Sequence, residues 1–174
     1  QNLFPILPVK NLVMFPKVAI PITAGREKSI KLLEEANKNG QLIGILSQKI
    51  SNLENPTEKD LYQIGTVAKI IKIIKLPDGN MSAITRGLQR FKVKKYLKSE
   101  PYFMAEIEKL KDTSTKKKEE YEALIDNIKD LAIKIIELDP NIPGAANFAI
   151  RNIENQEDLL NFICTNANFS SVEK

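Results

Sequence analysis

Histidine is absent from this 174-residue sequence. That removes Ser-His-Asp and Cys-His catalysis, together with the commonest zinc ligand. Cysteine is nearly absent: Cys164 stands alone, so no internal disulfide forms. A lone thiol fits a reducing compartment, and Cys164 reads as a small core residue. None of the seven glycines opens a G-x-x-x-x-G-K-[ST] pattern, so no phosphate-cradling loop of that type is present. A Ser-Lys dyad is compatible with the composition, but no pair of residues is singled out. No apolar run approaches the roughly 18 residues of a membrane span. The first residues lack the charged-then-apolar order of a signal peptide, so none is expected. The chain carries no recognisable enzyme chemistry.

What is present is an apolar content of 43%, enough for a real core in one large domain or two small units. The stretch "ILPVKNLVMFPKVAIPITAGREKSI" has strand-like composition, yet Pro8, Pro16 and Pro21 interrupt it and Pro5 precedes it. Proline donates no backbone hydrogen bond, so it belongs to edge strands, strand starts and bulges; short, bent strands are expected. Residues 26–38 follow as a helix with Ile30, Leu33 and Ala36 as its apolar stripe, Leu32 beside it and Gly40 as its stop. "LIGILSQ" at 42–48 is a buried strand and "ENPTEKD" at 54–60 a loop. Residues 65–75 fit helical spacing at Val67, Ile70, Ile71 and Ile74 as well as any strand template. The four isoleucines, and the turn at Pro77–Gly79 before "MSAIT", favour a strand and hairpin. Gly87 opens another strand-like run, and 101–110 alternates with Phe103, Ala105 and Ile107 inward. With no β-α-β rhythm, residues 1–110 are an α+β or barrel-like unit.

The composition changes after Leu110, and residues 111–174 read as helical. "DTSTKKK" is a polar linker where trypsin should cut first. Tyr121, Leu124, Ile128, Leu131, Ile135 and Leu138 recur at spacings of three and four, with Ile125 and Ala132 widening the face. The run is too short to argue for an extended coiled coil, so packing inside a helical bundle is expected. Asp139-Pro140 ends the helix. A short helix follows Pro143-Gly144, and another is capped by Asn155 with Asp158 in its first turn. Ser170 and Glu173 form the S-x-x-E box of a further helix start. With no initiator methionine, this suggests a piece of a longer protein. The formal charge is +4. "FKVKKYLK" at 91–98 interleaves lysines with Phe91 and Tyr96; it reads as a nucleic-acid strand or, preferably, as an alternating strand with its lysines in solvent.

Taken in order, "LPVKNLVMFPKVAIPITAGREKSI", "DLYQIGTVAKIIKIIKLPDG", "GLQRF", "PYFMAEIEKL" and "IKDLAIKIIELDPNIPGAANFAIRNIENQEDLLNFI" resemble the N-terminal domain of the ATP-dependent protease Lon across essentially the whole chain. The resemblance implies a small β-rich, PUA-like pseudobarrel with one helix, followed by a helical bundle. It also implies that 65–75 is strand. Whole chains of that family continue into an ATPase module and a Ser-Lys protease module, whose catalytic residues match no position here. The resemblance therefore implies no cofactor for this part, with ATP and Mg expected for the parent, an ATP-dependent serine endopeptidase. It implies a bacterial-type cytoplasmic setting away from membranes, unfolded or degron-bearing proteins as partners, and support of a hexameric ring. The alternative is a free-standing peptide- or RNA-binding protein of the same fold. Capture of unfolded chains needs an apolar patch or a strand edge, and the candidates are Pro21, Ile22, Arg26, Glu27 and Lys28. Against this, Ile22 reads equally as core, and the charged trio as the polar first turn of a helix. Arg86 and Arg90, near Gly87, are further candidates that structural ion pairs would explain as well.

Overall fold

The computed structural model describes residues 3–111, 113 and 118–174. Its elements are β1 (Leu3–Val9), β2 (Ala19–Ala24), α1 (Glu27–Lys38), β3 (Ile43–Ser47), β4 (Ile64–Lys75), β5 (Met81–Lys98), β6 (Phe103–Lys109), α2 (Lys118–Leu138), α3 (Ala145–Asn152) and α4 (Gln156–Asn166). They fall into two compact units. One takes the described residues through Lys111 together with Asn168–Lys174, and the other runs on to Ala167. The expected helical part, 111–174, differs from this grouping at its tail. Ser171 and Val172 line a cleft of the β-rich unit with Val13, Phe15 and Ile64. The expected capping box does form: the Ser170 amide and hydroxyl donate to Glu173 Oε2 at 2.8 and 2.7 Å. The linker expected around Lys116 and Lys117 lies outside the described residues.

The six strands form one sheet in the order β2-β5-β4-β3-β1-β6, and β5 also pairs with β6. That second pairing closes β5, β4, β3, β1 and β6 into a ring and leaves β2 as an outlying edge. The 18 residues of β5 make the closure possible: Met81–Arg86 pair with β2, and Phe91–Lys98 with β6. Gly87 does not open a new strand, as its sequence context suggested; β5 runs through it. A Cβ at Gly87 would lie 2.2 Å from the Phe15 carbonyl oxygen, so the glycine leaves room for a crossing backbone.

The prolines have a topological reason. β1 pairs with β6 through Leu3–Ile6 and with β3 through Ile6–Val9. Only Ile6 has a strand on both sides. Pro5 sits where β3 has not begun, and Pro8 where β6 has ended. Pro21 lies in β2, whose one neighbour among the described strands is β5. Pro5, Pro8 and Pro21 thus each occupy a one-sided stretch, where the missing N–H costs no ladder bond, and Pro16 lies in the turn before β2. β4 is a strand of 12 residues, and the register shift between Ile70 and Lys72, where Ile71 is the extra residue, explains its helical look. A bulge adds a residue and breaks the alternation of buried positions.

α1 lies over one core cluster, inserting Leu32, Leu33 and Ala36 among Val9, Ile22, Ile43 and Ala83. Its stripe is shifted from the expected one, with Ser29 and Leu32 buried and Ile30 only half-buried. A second cluster around Ile6, Leu46, Val67, Phe91 and Ile107 joins strands of the closed ring. Fully burying a side chain such as Leu33 or Phe91 contributes about 1.5–3 kcal/mol.

In the helical unit, α2, α3 and α4 meet around Ile125, Ile150 and Leu159. Four of the six residues of the stripe expected to pack in a bundle are turned outward: Leu124 is 56% exposed, Leu131 58%, Ile135 59% and Leu138 84%, whereas Tyr121 packs against the cluster and Ile128 is half-buried. The helix has two apolar faces. Ile125 and Ala132, which only widened the expected face, join Ile133 and Ile136 in forming the packed one. Asn155 caps α4 by accepting the Asp158 amide at 3.0 Å. Cys164 is half-buried rather than a core residue.

Candidate functional site

Two adjoining clefts open on the β-rich unit, and the N-terminal end of α1 stands between them. The first, about 340 Å³, has apolar walls from Ile6, Pro8, Leu32, Pro56 and Phe103. The second, about 600 Å³, is lined by two consecutive runs, Leu7–Leu12 and Pro21–Arg26. Pro8, Arg26, Ser29 and Glu54 belong to both. Alternate residues of a strand point to opposite faces, so a cleft lined by consecutive residues is met by the strand's backbone edge.

Both runs are open edges. Leu7–Val9 lie beyond the last residue of β1 paired with β6, and β2 has β5 on one side only. The hydrogen bonds fix which groups face outward. Gly87 N–H donates to the Val18 carbonyl at 2.9 Å, and Thr85 Oγ1 to that of Ile20 at 3.2 Å. By alternation, Ile20, Ile22 and Ala24 bond β5, while Ala19, Pro21 and Thr23 turn their backbone groups to the open side. Proline at the middle of those three leaves its carbonyl but no donor.

The charges between the clefts are largely tied to one another. Arg26 Nη2 donates to Gln48 Oε1, and Gln48 Nε2 holds the carbonyls of Ile50 and Leu53 at 3.1 and 3.0 Å. Burial lowers the Arg26 pKa, and the nearby Glu54 partly offsets that. Lys10 pairs with Glu54 at 2.5 Å, and its hydrogen bond holds the Glu54 carboxyl below its ordinary range. Lys28 pairs with Glu100. Tyr102 donates to Glu35 Oε2 at 2.7 Å; burial first, and then Glu35, push its phenol up to about 12.

The structure brings the five candidate residues together but gives them different standing. Pro21 is exposed on the β2 edge, Glu27 and Lys28 are exposed at the first cleft, and half-buried Arg26 stands in the shared wall. Ile22 is 5% exposed and sits in the core, forming floor rather than surface, because its side chain falls on the inward alternate of β2. Sequence reasoning missed Pro8, Glu54, Tyr102 and Phe103 as site residues. Pro8 had a signal in the interrupted strand, whereas the others read only as loop and strand start.

The lysine-rich stretch of β5 follows the preferred reading. Phe91 is buried, Val93 and Tyr96 are half-buried, and the lysines face solvent. Lys92 stands opposite Glu108 and Lys95 opposite Glu106, which offsets the charge a nucleic acid would use. Among the described residues, no group of three or more His, Cys, Asp or Glu side chains is placed to hold a metal ion. No helix among them is long and apolar enough to cross a membrane.

Fold and clefts together define a β-rich domain with helices, whose most developed surface is a pair of strand edges. The chain belongs to the family of the ATP-dependent protease La (LON) substrate-binding domain, whose model matches residues 4–174. It is 46% identical over 171 residues to a Lon protease of Flavobacterium johnsoniae and 40% identical over 174 residues to one of Cytophaga hutchinsonii. Those matches cover 98% and 99% of this chain but 21% of each relative, so the chain spans about a fifth of their length. The fold matches the N-terminal domain of the Mycobacterium avium complex Lon protease with a TM-score of 0.74, at 15% identity, over 98% of this chain and 86% of that one. A Lon N-terminal domain protein from Xanthomonas campestris matches with a TM-score of 0.54, at 13% identity, over 93% and 96%.

Proposed function

We propose that this chain captures unfolded or degron-bearing polypeptides at the two clefts, as the substrate-receiving part of an ATP-dependent Lon-type serine protease. The observation that carries the reading is the second cleft, where the open edges of Leu7–Val9 and β2 line one cavity over an apolar floor. Pro21, Arg26, Glu27 and Lys28 form the accessible rim, with Ile22 beneath. An unfolded chain offers apolar side chains and unsatisfied amides, and both find partners there.

Pro8 and Pro21 remove donors from the two edges, so the grip comes from carbonyls and side chains rather than a full ladder. That favours weak, fast contacts with dissociation constants on the order of micromolar or weaker. In a hexameric ring, six such domains compensate through effective concentration. ATP, Mg and the protease nucleophile belong to the remainder of the parent protein, which operates in the bacterial-type cytoplasm. In the finer fold reading, the β-rich unit is a PUA-like pseudobarrel and α2–α4 belong to a helical bundle. The chain alone is expected neither to hydrolyse ATP nor to cleave casein; turnover by highly purified chain would overturn that.

Backbone NMR with a reduced, unfolded protein as ligand tests capture. Shifts are expected at residues 7–12 and 19–28 and at Tyr102 and Phe103. Shifts confined to 118–166 would move the site to the helical unit. No shifts at millimolar ligand would leave an assembly role only.

A further inference from the structure

The outer face of the sheet beside β2 carries three cations in adjoining rows and no acid. The register sets Ala19, Arg86 and Lys69 in one row across β2, β5 and β4, and Pro21, Ile84 and Lys72 in the next. Thr23, Ser82 and Ile74 make the third. Lys69, Lys72 and Arg86 are exposed, and no ion pair among the described residues uses them. Lys69 and Arg86 stand directly opposite each other, an arrangement of like charges that weakens a sheet. Three other lysines of these strands face acids. Lys75 pairs with Glu34 at 2.8 Å, and Lys92 and Lys95 stand opposite Glu108 and Glu106. The rows of Lys69, Arg86 and Lys72, which no acid offsets, end at the open edge of β2.

We propose that this patch selects acidic side chains on the polypeptide held along β2; the inference rests on the capture reading above. A chain lying extended beside β2, about 4.8 Å away, turns every second side chain onto this outer face. Ala19 presents only a methyl group there. A Glu beside it reaches across Ala19 toward Arg86, two strand spacings or about 10 Å between backbones, a gap that two long side chains span. Ile84 and Ile74, lying among and beyond the cations, offer apolar contact to the neighbouring positions. The partner is a polypeptide rather than a polyphosphate or nucleic acid because the adjoining edge alternates carbonyls at Ala19, Pro21 and Thr23 with N–H donors at Ala19 and Thr23, the pattern a peptide backbone pairs with. Carbonyls accept hydrogen bonds from a peptide N–H and repel phosphate oxygens.

The test compares two short fluorescein-labelled peptides of alternating apolar pattern, one with Glu at the outward positions and its twin with Gln, by anisotropy against the whole 174-residue chain. The Glu peptide is expected to bind about three- to tenfold tighter in low salt, with the advantage shrinking as salt screens it. The double variant Lys69→Gln, Arg86→Gln should erase the advantage and leave the Gln peptide unchanged. Both side chains are exposed, and their removal relieves repulsion, so folding is not at risk. Equal binding of the two peptides overturns the selection while leaving capture intact, whereas binding of neither removes capture as well. A preference that survives the double variant also overturns the proposal. So does an Arg86-dependent affinity for inorganic polyphosphate or single-stranded oligonucleotide above that for the Glu peptide.

Discussion

Gly87 and Gly65 show how much of this fold depends on single atoms that are missing. A Cβ at either position would lie 2.2 Å from a backbone carbonyl oxygen, that of Phe15 for Gly87 and of Ile45 for Gly65. Backbone does not yield as a side-chain tip does, so Gly87→Ala is expected to cost about 1–3 kcal/mol, measured by urea unfolding. Two tyrosines make stability fall at alkaline pH. Burial, with a lesser push from Glu58, raises the Tyr96 phenol to about 12, as burial and Glu35 do for Tyr102. In the unfolded chain a phenol ionises near the ordinary value of about 10. Below that pH both states keep the proton, and the phenols' contribution is fully present. Between about pH 10 and 12 the unfolded chain releases protons that the folded one retains, so stability falls as pH rises. Tyr96→Phe and Tyr102→Phe should each flatten the decline of the urea midpoint across that window; an unchanged decline in both would rule this account out.

At the scale of elements, α2 separates two kinds of apolar residue that its sequence presents alike. Ile125 is 4% exposed and Leu131 58%. Ile125→Ala is expected to cost about 2–5 kcal/mol in the helical unit, and Leu131→Gln no more than about 0.5 kcal/mol, read from thermal unfolding at 222 nm. Equal losses would mean that the outward stripe is packed after all. The three-four spacing of Leu124 to Leu138 made the wrong face look like the core because periodicity reports that a face is apolar, not what covers it. The β4 strand was legible for the opposite reason: the turn at Pro77–Gly79 outweighed a periodicity blurred by the extra residue at Ile71. The prolines of β1 and β2 announced one-sided strands from sequence alone. What they could not announce was that Pro8 and Pro21 would line the same cavity, or that Tyr102 and Phe103 would stand beside Arg26. Those neighbours are set by strand register, and the sequence between them carries no record of it.

On the scale of the whole molecule, the two units hold separate cores, and the helical one rests on far fewer fully buried side chains. The β-rich unit is bound together by β5, which pairs with β2, β4 and β6 in turn. Met81–Arg86, Phe91 and Lys92 have ladder partners on both sides, so these parts of the strand have no partial way to open. The backbone protons of Ala83–Arg86 and of Phe91 should therefore trade with deuterium only when the entire β-rich unit comes apart, all at one slow rate. Those of α2 should exchange sooner, each turn on its own clock. Mass spectrometry of the deuterated chain would then record a single late step for β5 against a gradual uptake for the helices. Under the capture proposed at the rim, a central strand that stays closed lets the molecule take hold of and release a chain many times between its own unfolding events.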